Sequence, residues 1–352
     1  MSLNPINVML VDDSPVALAM LKRLLAPSPE IRIVGTALDG VQALQLLGAA
    51  RPDVLLTDLR MPNMDGVELT QRVMAEYPCP ILVVSSTIRA DDTTNAYPAL
   101  AAGALDVFPK PELGSTREFE AASQELVAKI RILSGVRVYR RKAGAAPVAA
   151  ASTAAPAAPG PDRRPRPRLV VIGASTGGPP ALKEVLRQLP AGFPLPVLCV
   201  QHISKGFLTG LVDWLAQDCA LPVRIGKPDE LPAPGVVYFP PEDRHMELSP
   251  QGLLRFTEAP PVEGHRPSAT VTLASAAERC GGAAIGVLLT GMGRDGAEGL
   301  LEIRRRGGLT FAQDEETSAV FGMPRQAIEL GAVERVLPPV EIGRALARVL
   351  AA

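Results

Sequence analysis

Residues 143–168 divide this chain of 352 residues in two. They hold ten alanines and six prolines and close on Arg-Arg-Pro-Arg-Pro-Arg. Proline removes backbone donors and alanine offers little apolar surface, so this run cannot build a packed core and reads as an extended, semi-stiff tether. What can fold lies on either side of it. The expected organisation is a folded segment at 5–135, a basic Ala/Pro-rich linker at 136–168 and a second folded segment at 169–352, each flank long enough to bury its own core. Charge divides the same way: the net is −5 over residues 1–135, +7 over 136–168 and −3 over 169–352, averaging to a bland −1 for the whole. Acidic folded segments argue against a nucleic-acid partner, and with no basic recognition helix after the linker a DNA-binding regulator is excluded.

The amino terminus reads Met-Ser-Leu-Asn-Pro and reaches Asp12 and Asp13 before any long apolar run, so no signal peptide is expected. The longest uncharged stretch, Ala143 to Pro161, is mostly alanine and broken by proline, too weakly apolar to enter a bilayer. Cys79, Cys199, Cys219 and Cys280 are far apart and form no Cys-x-x-Cys pair. That usage fits reduced thiols and a cytoplasmic protein with no direct membrane insertion. Cys199 and His202 are three apart, but two ligands alone hold no metal.

The first flank alternates short apolar runs with amphipathic stretches. Strands are expected at Ile6 to Val11, Ile31 to Ala37, Val54 to Thr57, Ile81 to Val84 and Leu105 to Phe108. Helices are expected at Pro15 to Leu25, Val41 to Leu47, Val67 to Met74, Thr94 to Ala101 and Ser115 to Leu133. Five βα units predict a five-stranded parallel, doubly wound sheet of the flavodoxin-like kind. Residues just past its strand ends converge on one edge: Asp12 and Asp13, then Asp58, Ser85 and Lys110. Three carboxylates in one pocket repel one another, and a hard dication such as Mg²⁺ on Asp12, Asp13 and Asp58 relieves that repulsion. Asp58 can then attack a phosphoryl group whose oxygens are held by the Ser85 hydroxyl and the Lys110 ammonium, giving an aspartyl phosphate. Taken singly, each of these residues is also an ordinary loop, cap or surface residue.

With Asp-Leu-Arg-Met-Pro-Asn-Met-Asp-Gly at Asp58 to Gly66 and Lys110-Pro111 after the fifth strand, this flank resembles the receiver domain of two-component response regulators. The resemblance implies phosphorylation at Asp58 by a histidine kinase and makes Lys110-Pro111 a candidate cis peptide. One departure is Val107, where the family often carries an aromatic that rotates on phosphorylation; Phe108 stands beside it.

The second flank keeps the βα rhythm, with an all-strand insert near Val236 to Phe256, and predicts a second α/β domain with a mainly parallel sheet and a β-hairpin insert. It opens with Ile-Gly-Ala-Ser-Thr-Gly-Gly-Pro-Pro at Ile172 to Pro180, between a strand and a helix expected at Ala181 to Leu189. A dinucleotide loop would need an acid near the end of the next strand, but that strand ends in Gln201 and His202; a Walker loop would need Gly-Lys-Ser/Thr. The remaining reading is a nucleophile elbow carrying Ser175. His202 follows the next strand, and the apolar run Ala283 to Leu289 leads through Thr-Gly-Met-Gly-Arg-Asp-Gly to Asp295, so both reach the same edge. Ser175, His202 and Asp295 make a candidate triad needing no cofactor, with the backbone N–H groups of Thr176 and Met292 as candidate oxyanion donors. The alternative is that Ser175 and Asp295 are helix caps and His202 a packed loop residue. The order Ser, His, Asp also differs from that of α/β hydrolases.

Together with Gln201-His202, His-Arg-Pro-Ser at His265 to Ser268, Gly286 to Ala297 and Ala312 to Arg325, these stretches resemble the CheB family of chemotaxis protein-glutamate methylesterases, whose members carry a receiver before a linker. The resemblance places that family's serine, histidine and aspartate on Ser175, His202 and Asp295. It implies hydrolysis of glutamate methyl esters on cytoplasmic helices of methyl-accepting chemoreceptors, with glutamine deamidation as a second activity. It also implies a receiver that covers the catalytic edge until a chemotaxis histidine kinase phosphorylates Asp58. Departures are Ile203-Ser204 after Gln-His, and Thr270 and Leu273 after His-Arg-Pro-Ser. His265 and Arg266 are candidates for touching an acidic substrate surface, and His245 reads as structural. The rival function is a non-catalytic, phospho-regulated binding protein.

Overall fold

The computed structural model describes residues 5–86, 96–110, 115–136, 138 and 165–348. The tether from 139 to 164 and Pro111, the candidate for a cis bond, lie outside the described residues.

The first unit is a parallel sheet in the order β2-β1-β3-β4-β5, built from β1 (Ile6–Val11), β2 (Ile31–Ala37), β3 (Val54–Thr57), β4 (Ile81–Ser86) and β5 (Asp106–Lys110). Around it lie α1 (Pro15–Leu25), α2 (Gly40–Ala50), α3 (Gly66–Glu76), α4 (Ala96–Ala102) and α5 (Thr116–Ser134). The central strands read as continuous apolar runs because helices cover both faces. Helix starts are chemically marked: Ser14 caps α1, Asp39 caps α2, Asp65 caps α3, and Ser115 with Glu118 forms a capping box on α5. Strands β4 and β5 extend two residues beyond their apolar runs, because Ser85 pairs with Pro109 and Ser86 with Lys110. Ser85 and Lys110 therefore lie in the last rungs of the ladder rather than after it.

The second unit is a seven-stranded sheet in the order β14-β13-β12-β6-β7-β9-β8, parallel in each of its pairings. Its strands are β6 (Leu169–Ala174), β7 (Val197–Gln201), β8 (Val223–Ile225), β9 (Val237–Phe239), β12 (Ala284–Leu288), β13 (Leu309–Gln313) and β14 (Arg335–Leu337). The strand-rich insert proves to be two things. Strand β9 joins the main sheet, while β10 (His245–Leu248) and β11 (Leu254–Thr257) form an antiparallel hairpin beside α8 (Ala269–Cys280). The remaining helices are α6 (Gly178–Leu186), α7 (Leu208–Asp218), α9 (Ala297–Arg305), α10 (Met323–Glu329) and α11 (Pro339–Arg348). Helix α6 begins three residues before the expected Ala181, because Pro179 and Pro180 suit a first turn whose N–H groups need no intrahelical acceptor.

The two units meet along α4, the start of β5 and α5. Helix α4 packs against α6 and α7, and one cluster of buried apolar side chains takes in residues of both units. Tyr97 of α4 is fully buried there: its ring lies 5.6 Å from that of Trp214, and its hydroxyl donates to the Phe207 carbonyl. Lys183 Nζ sits 4.0 Å above the same Trp214 ring. The interface aromatic thus comes from α4. Val107 and Phe108 are both buried: Val107 lies in the cluster shared by the two units, and Phe108 in a cluster made by the first unit alone.

Candidate functional site

At the carboxyl edge of the first sheet, Asp58 N–H donates to the Val11 carbonyl at 2.8 Å, drawing the ends of β1 and β3 together. Asp12, Asp13 and Asp58 each offer a carboxylate oxygen, all within 4.8 Å of one another; Asp12 and Asp58 are buried and Asp13 is exposed. Lys110 reaches in from β5, with Nζ 2.6 Å from Asp12 Oδ2 and 2.9 Å from Asp58 Oδ2. Burial raises the Asp58 carboxyl above its usual range; the Lys110 ammonium pulls it down without offsetting burial, and the neighbouring Asp12 adds a smaller upward push. Burial alone would lower the Lys110 ammonium, but its bonds to the two carboxylates outweigh that and raise it. One cation among three acids leaves excess negative charge on hard oxygen donors, which suits a divalent ion such as Mg²⁺. Ser85, half-buried at the end of β4, lies on the same edge.

At the corresponding edge of the second sheet, Ser175 follows β6, His202 follows β7 and Asp295 lies in the loop from β12 to α9. Neither Ser175 nor Asp295 caps its own following helix. The N-caps of α6 and α9 are Gly177 and Gly296, both left-handed and without a side-chain cap bond. Gln201 ties the first two residues together, its Nε2 donating to the carbonyls of Ser175 at 2.8 Å and His202 at 2.7 Å. His202 N–H donates to the Ala174 carbonyl at 2.9 Å. Thr290 ties the serine loop to the aspartate loop: its carbonyl accepts from Ser175 N–H at 3.0 Å, and its hydroxyl donates to the Thr176 carbonyl at 3.0 Å. The loops come so close that a Cβ on Gly291 would sit 2.6 Å from Ser175 Cβ and 2.4 Å from Met323 Sδ, so only glycine fits there.

The imidazole of His202 is oriented by Asp295, with Nε2 2.8 Å from Oδ2. Asp295 accepts further bonds at the start of α8: from Ser268 Oγ at 2.7 Å, Ala269 N–H at 2.7 Å and Thr270 N–H at 3.0 Å. Burial alone would raise this carboxyl, but the bonds from His202, Ser268 and Thr270 hold it well below the usual carboxylate range. As an anion it fixes the His202 proton on Nε2, which leaves Nδ1 as the basic nitrogen. That Nδ1 is buried and has no hydrogen-bond partner among the described residues. Ser175, His202 and Asp295 are all nearly closed to solvent.

The backbone N–H groups around the nucleophile divide into two sets. Those of Ser175, Gly177, Gly178 and Gly291 each have an acceptor, whereas those of Thr176 and Met292, the two candidate oxyanion donors, have none among the described residues. The acceptor for Gly177 is the Leu105 carbonyl of the first unit, at 3.0 Å. Beside it, Asp106 Oδ2 accepts from Thr176 Oγ1 at 3.3 Å and from Lys129 Nζ at 2.6 Å. Glu125 of α5 accepts from Ser204 Oγ at 3.2 Å. The serine loop is thus held from the first unit by a backbone carbonyl and a carboxylate.

His245 is fully buried, with Nδ1 accepting from Ser268 N–H at 3.2 Å and Nε2 3.2 Å from the Pro260 carbonyl, which places its proton on Nε2. This is a packing role on the far side of Ser268. Arg266 is committed to Asp243 at 2.7 Å and to the Glu258 carbonyl at 2.9 Å; the described cis peptide is Arg266–Pro267. Thr270, one of the departures from the resembled pattern, accepts from Gly296 N–H at 2.6 Å through its hydroxyl and so fastens the aspartate loop to α8. Sequence reasoning missed Thr290, Ser268 as a partner of Asp295, and Asp106. Ser268 carries one readable signal, its place as N-cap of α8.

Comparison with known proteins assigns a family to each of the two units. The family model described as CheB methylesterase matches residues 170–346, and that of the response regulator receiver domain matches residues 8–120. A protein of Nitrosospira multiformis named protein-glutamate methylesterase/protein-glutamine glutaminase is 42% identical to this chain, covering 98% of it and 97% of the relative. A protein of Anaeromyxobacter dehalogenans, named protein-glutamate methylesterase/protein-glutamine glutaminase 2, is 46% identical, covering 97% of this chain and 96% of its own length. Among solved structures, the CheB methylesterase catalytic domain of Thermotoga maritima matches with a TM-score of 0.51 and 38% identity, covering 52% of this chain and 98% of that one.

Proposed function

This chain belongs to the CheB methylesterase family, a hydrolase with a receiver domain ahead of its catalytic domain, and from that premise we propose a phosphorylation-gated demethylation of chemoreceptors. The substrates are γ-methyl esters of glutamate, and glutamine side chains, on the cytoplasmic helices of methyl-accepting chemoreceptors; the protein acts in the cytoplasm. Among the described residues no helix is long and apolar enough to cross a membrane. The working division is a receiver at 5–135, a linker at 136–168 and a catalytic domain at 169–352, supported by the spans of the two family matches.

The observation that carries the chemistry is the state of His202: Nε2 committed to an anionic Asp295, and Nδ1 buried and free beside the serine loop. Ser175 Oγ attacks the ester carbonyl while His202 Nδ1 takes its proton. The imidazolium that forms is stabilised by Asp295, and the N–H groups of Thr176 and Met292 receive the developing oxyanion, one such donor being worth roughly 3 kcal/mol. His202 then returns the proton to the departing methoxide, releasing methanol and leaving an acyl-Ser175. A water attacks that ester with His202 again as base, and glutamate leaves with Ser175 restored. With glutamine the departing group is ammonia.

Gating is supported by the contacts of Leu105 and Asp106 with the serine loop, which set the first unit against the catalytic edge, and by the burial of Ser175 there. A chemotaxis histidine kinase donates the phosphoryl group to Asp58, with its oxygens received by Ser85 and Lys110 and Mg²⁺ held by Asp12, Asp13 and Asp58. Asp12, Asp13 and Asp58 would hold the dication, which would supply screening of their charge from the incoming anionic group. The test is methanol release from methylated receptor by the full chain, with and without a small phosphodonor. Ser175→Ala is expected to abolish release in both conditions; retained release would overturn the triad.

A further inference from the structure

His202 is held by Asp295 through one hydrogen bond, at Nε2. A single bond fixes the direction of that nitrogen but not the tilt of the ring about the bond axis, and the tilt decides where Nδ1 points. The second constraint is a ring. His265 stacks on His202 with centroids 3.8 Å apart and planes inclined by 9°. We propose that His265 is a positioning residue for the general base, its ring fixing the plane in which His202 Nδ1 meets the Ser175 hydroxyl. The proposal rests on the triad reading and adds a role that the triad does not contain.

His265 is suited to hold a plane because its backbone is itself held. Its N–H donates to the Val262 carbonyl at 2.9 Å, and its carbonyl accepts from Val262 N–H at 3.1 Å. Three residues on, Ser268 bonds Asp295, so one short segment sets both the carboxylate and the stacked ring. The stack also needs to stay uncharged, since an imidazolium forms on His202 each time Ser175 attacks. Burial pushes His265 down to about 4, and the nearby His202 and Lys129 act the same way against Asp295 and Glu263. It therefore remains neutral throughout the range in which an ordinary histidine titrates.

The experiment uses the full chain, activated by a phosphodonor, with His265→Gln and His265→Phe. Glutamine keeps much of the bulk but no ring plane; phenylalanine keeps the plane but no titratable nitrogen. Loss of the base's alignment is expected to lower kcat about 10- to 100-fold in His265→Gln with KM within about twofold. In His265→Phe, kcat is expected to return to within about threefold of the native enzyme, with the acidic limb of its pH profile, set by the His202 base, unchanged. Native kcat in His265→Gln, or His265→Phe as slow as His265→Gln, overturns the proposal. Activity surviving in Ser175→Ala would instead defeat the triad reading, so the two failures are told apart.

Discussion

Two buried aspartates at the same kind of sheet edge are driven in opposite directions. Asp58 shares its pocket with Asp12 and Asp13 and has Lys110 as its cationic partner, and its carboxyl is raised. Asp295 is buried at least as deeply but receives His202, Ser268 and two backbone N–H groups from the start of α8, and its carboxyl is lowered. Burial is common to both, so the donors decide. The difference assigns each site its place in a regulated enzyme. The first site is electrostatically unfinished, with room in its charge balance for the proposed cation and phosphoryl group. At the second the carboxylate is fully met by donors, while His202 Nδ1 and the N–H groups of Thr176 and Met292 stay open for substrate. Under the proposed gating, control of the second site falls to access, with the first unit as the cover.

The sharpest way to break this contrast is to degrade the donors' target. Asp295→Asn keeps the shape but removes the anion that fixes the His202 proton on Nε2, and turns part of the side chain into a donor facing other donors. The expected loss in kcat is about 10³- to 10⁴-fold, by analogy with neutralising the aspartate of other triads. Methanol release under full phosphodonor activation measures it; a loss under tenfold would mean that Asp295 is not the orienting residue. At the first site the matching change is Asp58→Asn, which removes the phosphoryl acceptor and one repelling charge. Stimulation by phosphodonor is expected to vanish while release without it stays within about twofold of native. If stimulation persists, Asp58 is not the residue that gates.

The contrast was only partly readable in the sequence. Strands β1 to β3 match their expected bounds to the residue, because apolar runs bounded by polar residues are what a sheet covered on both faces requires. Strands β4 and β5 run on through Ser85-Ser86 and Pro109-Lys110, since a ladder is made by backbone and need not stop where side chains turn polar. Ser175, His202, Asp295 and the three receiver aspartates were legible because strand ends in a parallel sheet converge on one edge. What surrounds them was not. Ser268, Ala269 and Thr270 reach Asp295 from a helix start more than twenty residues away, and the ring of His265 meets His202 only in the folded loop. The grip of Leu105 and Asp106 on the serine loop joins surfaces of two units across a tether, and no periodicity or composition encodes such a match.

That grip gives the smallest predicted effect and the finest test of the comparison. If access controls a site that is otherwise ready, weakening the cover should raise activity, whereas damage to an unready site could only lower it. Asp106→Asn removes the charge that Lys129 pairs with at 2.6 Å and weakens the acceptor for Thr176 Oγ1 at 3.3 Å, while the bond from Gly177 to the Leu105 carbonyl stays. Losing about 1 kcal/mol from the covered form raises the uncovered population roughly fivefold where the covered form dominates. Basal methanol release from methylated receptor should rise by about that factor, and the fold-stimulation by phosphodonor should shrink in proportion, because the fully uncovered rate is unchanged. Equal falls in basal and stimulated rates would show instead that Asp106 supports the serine loop for catalysis, and the second site would then not be complete without the first unit.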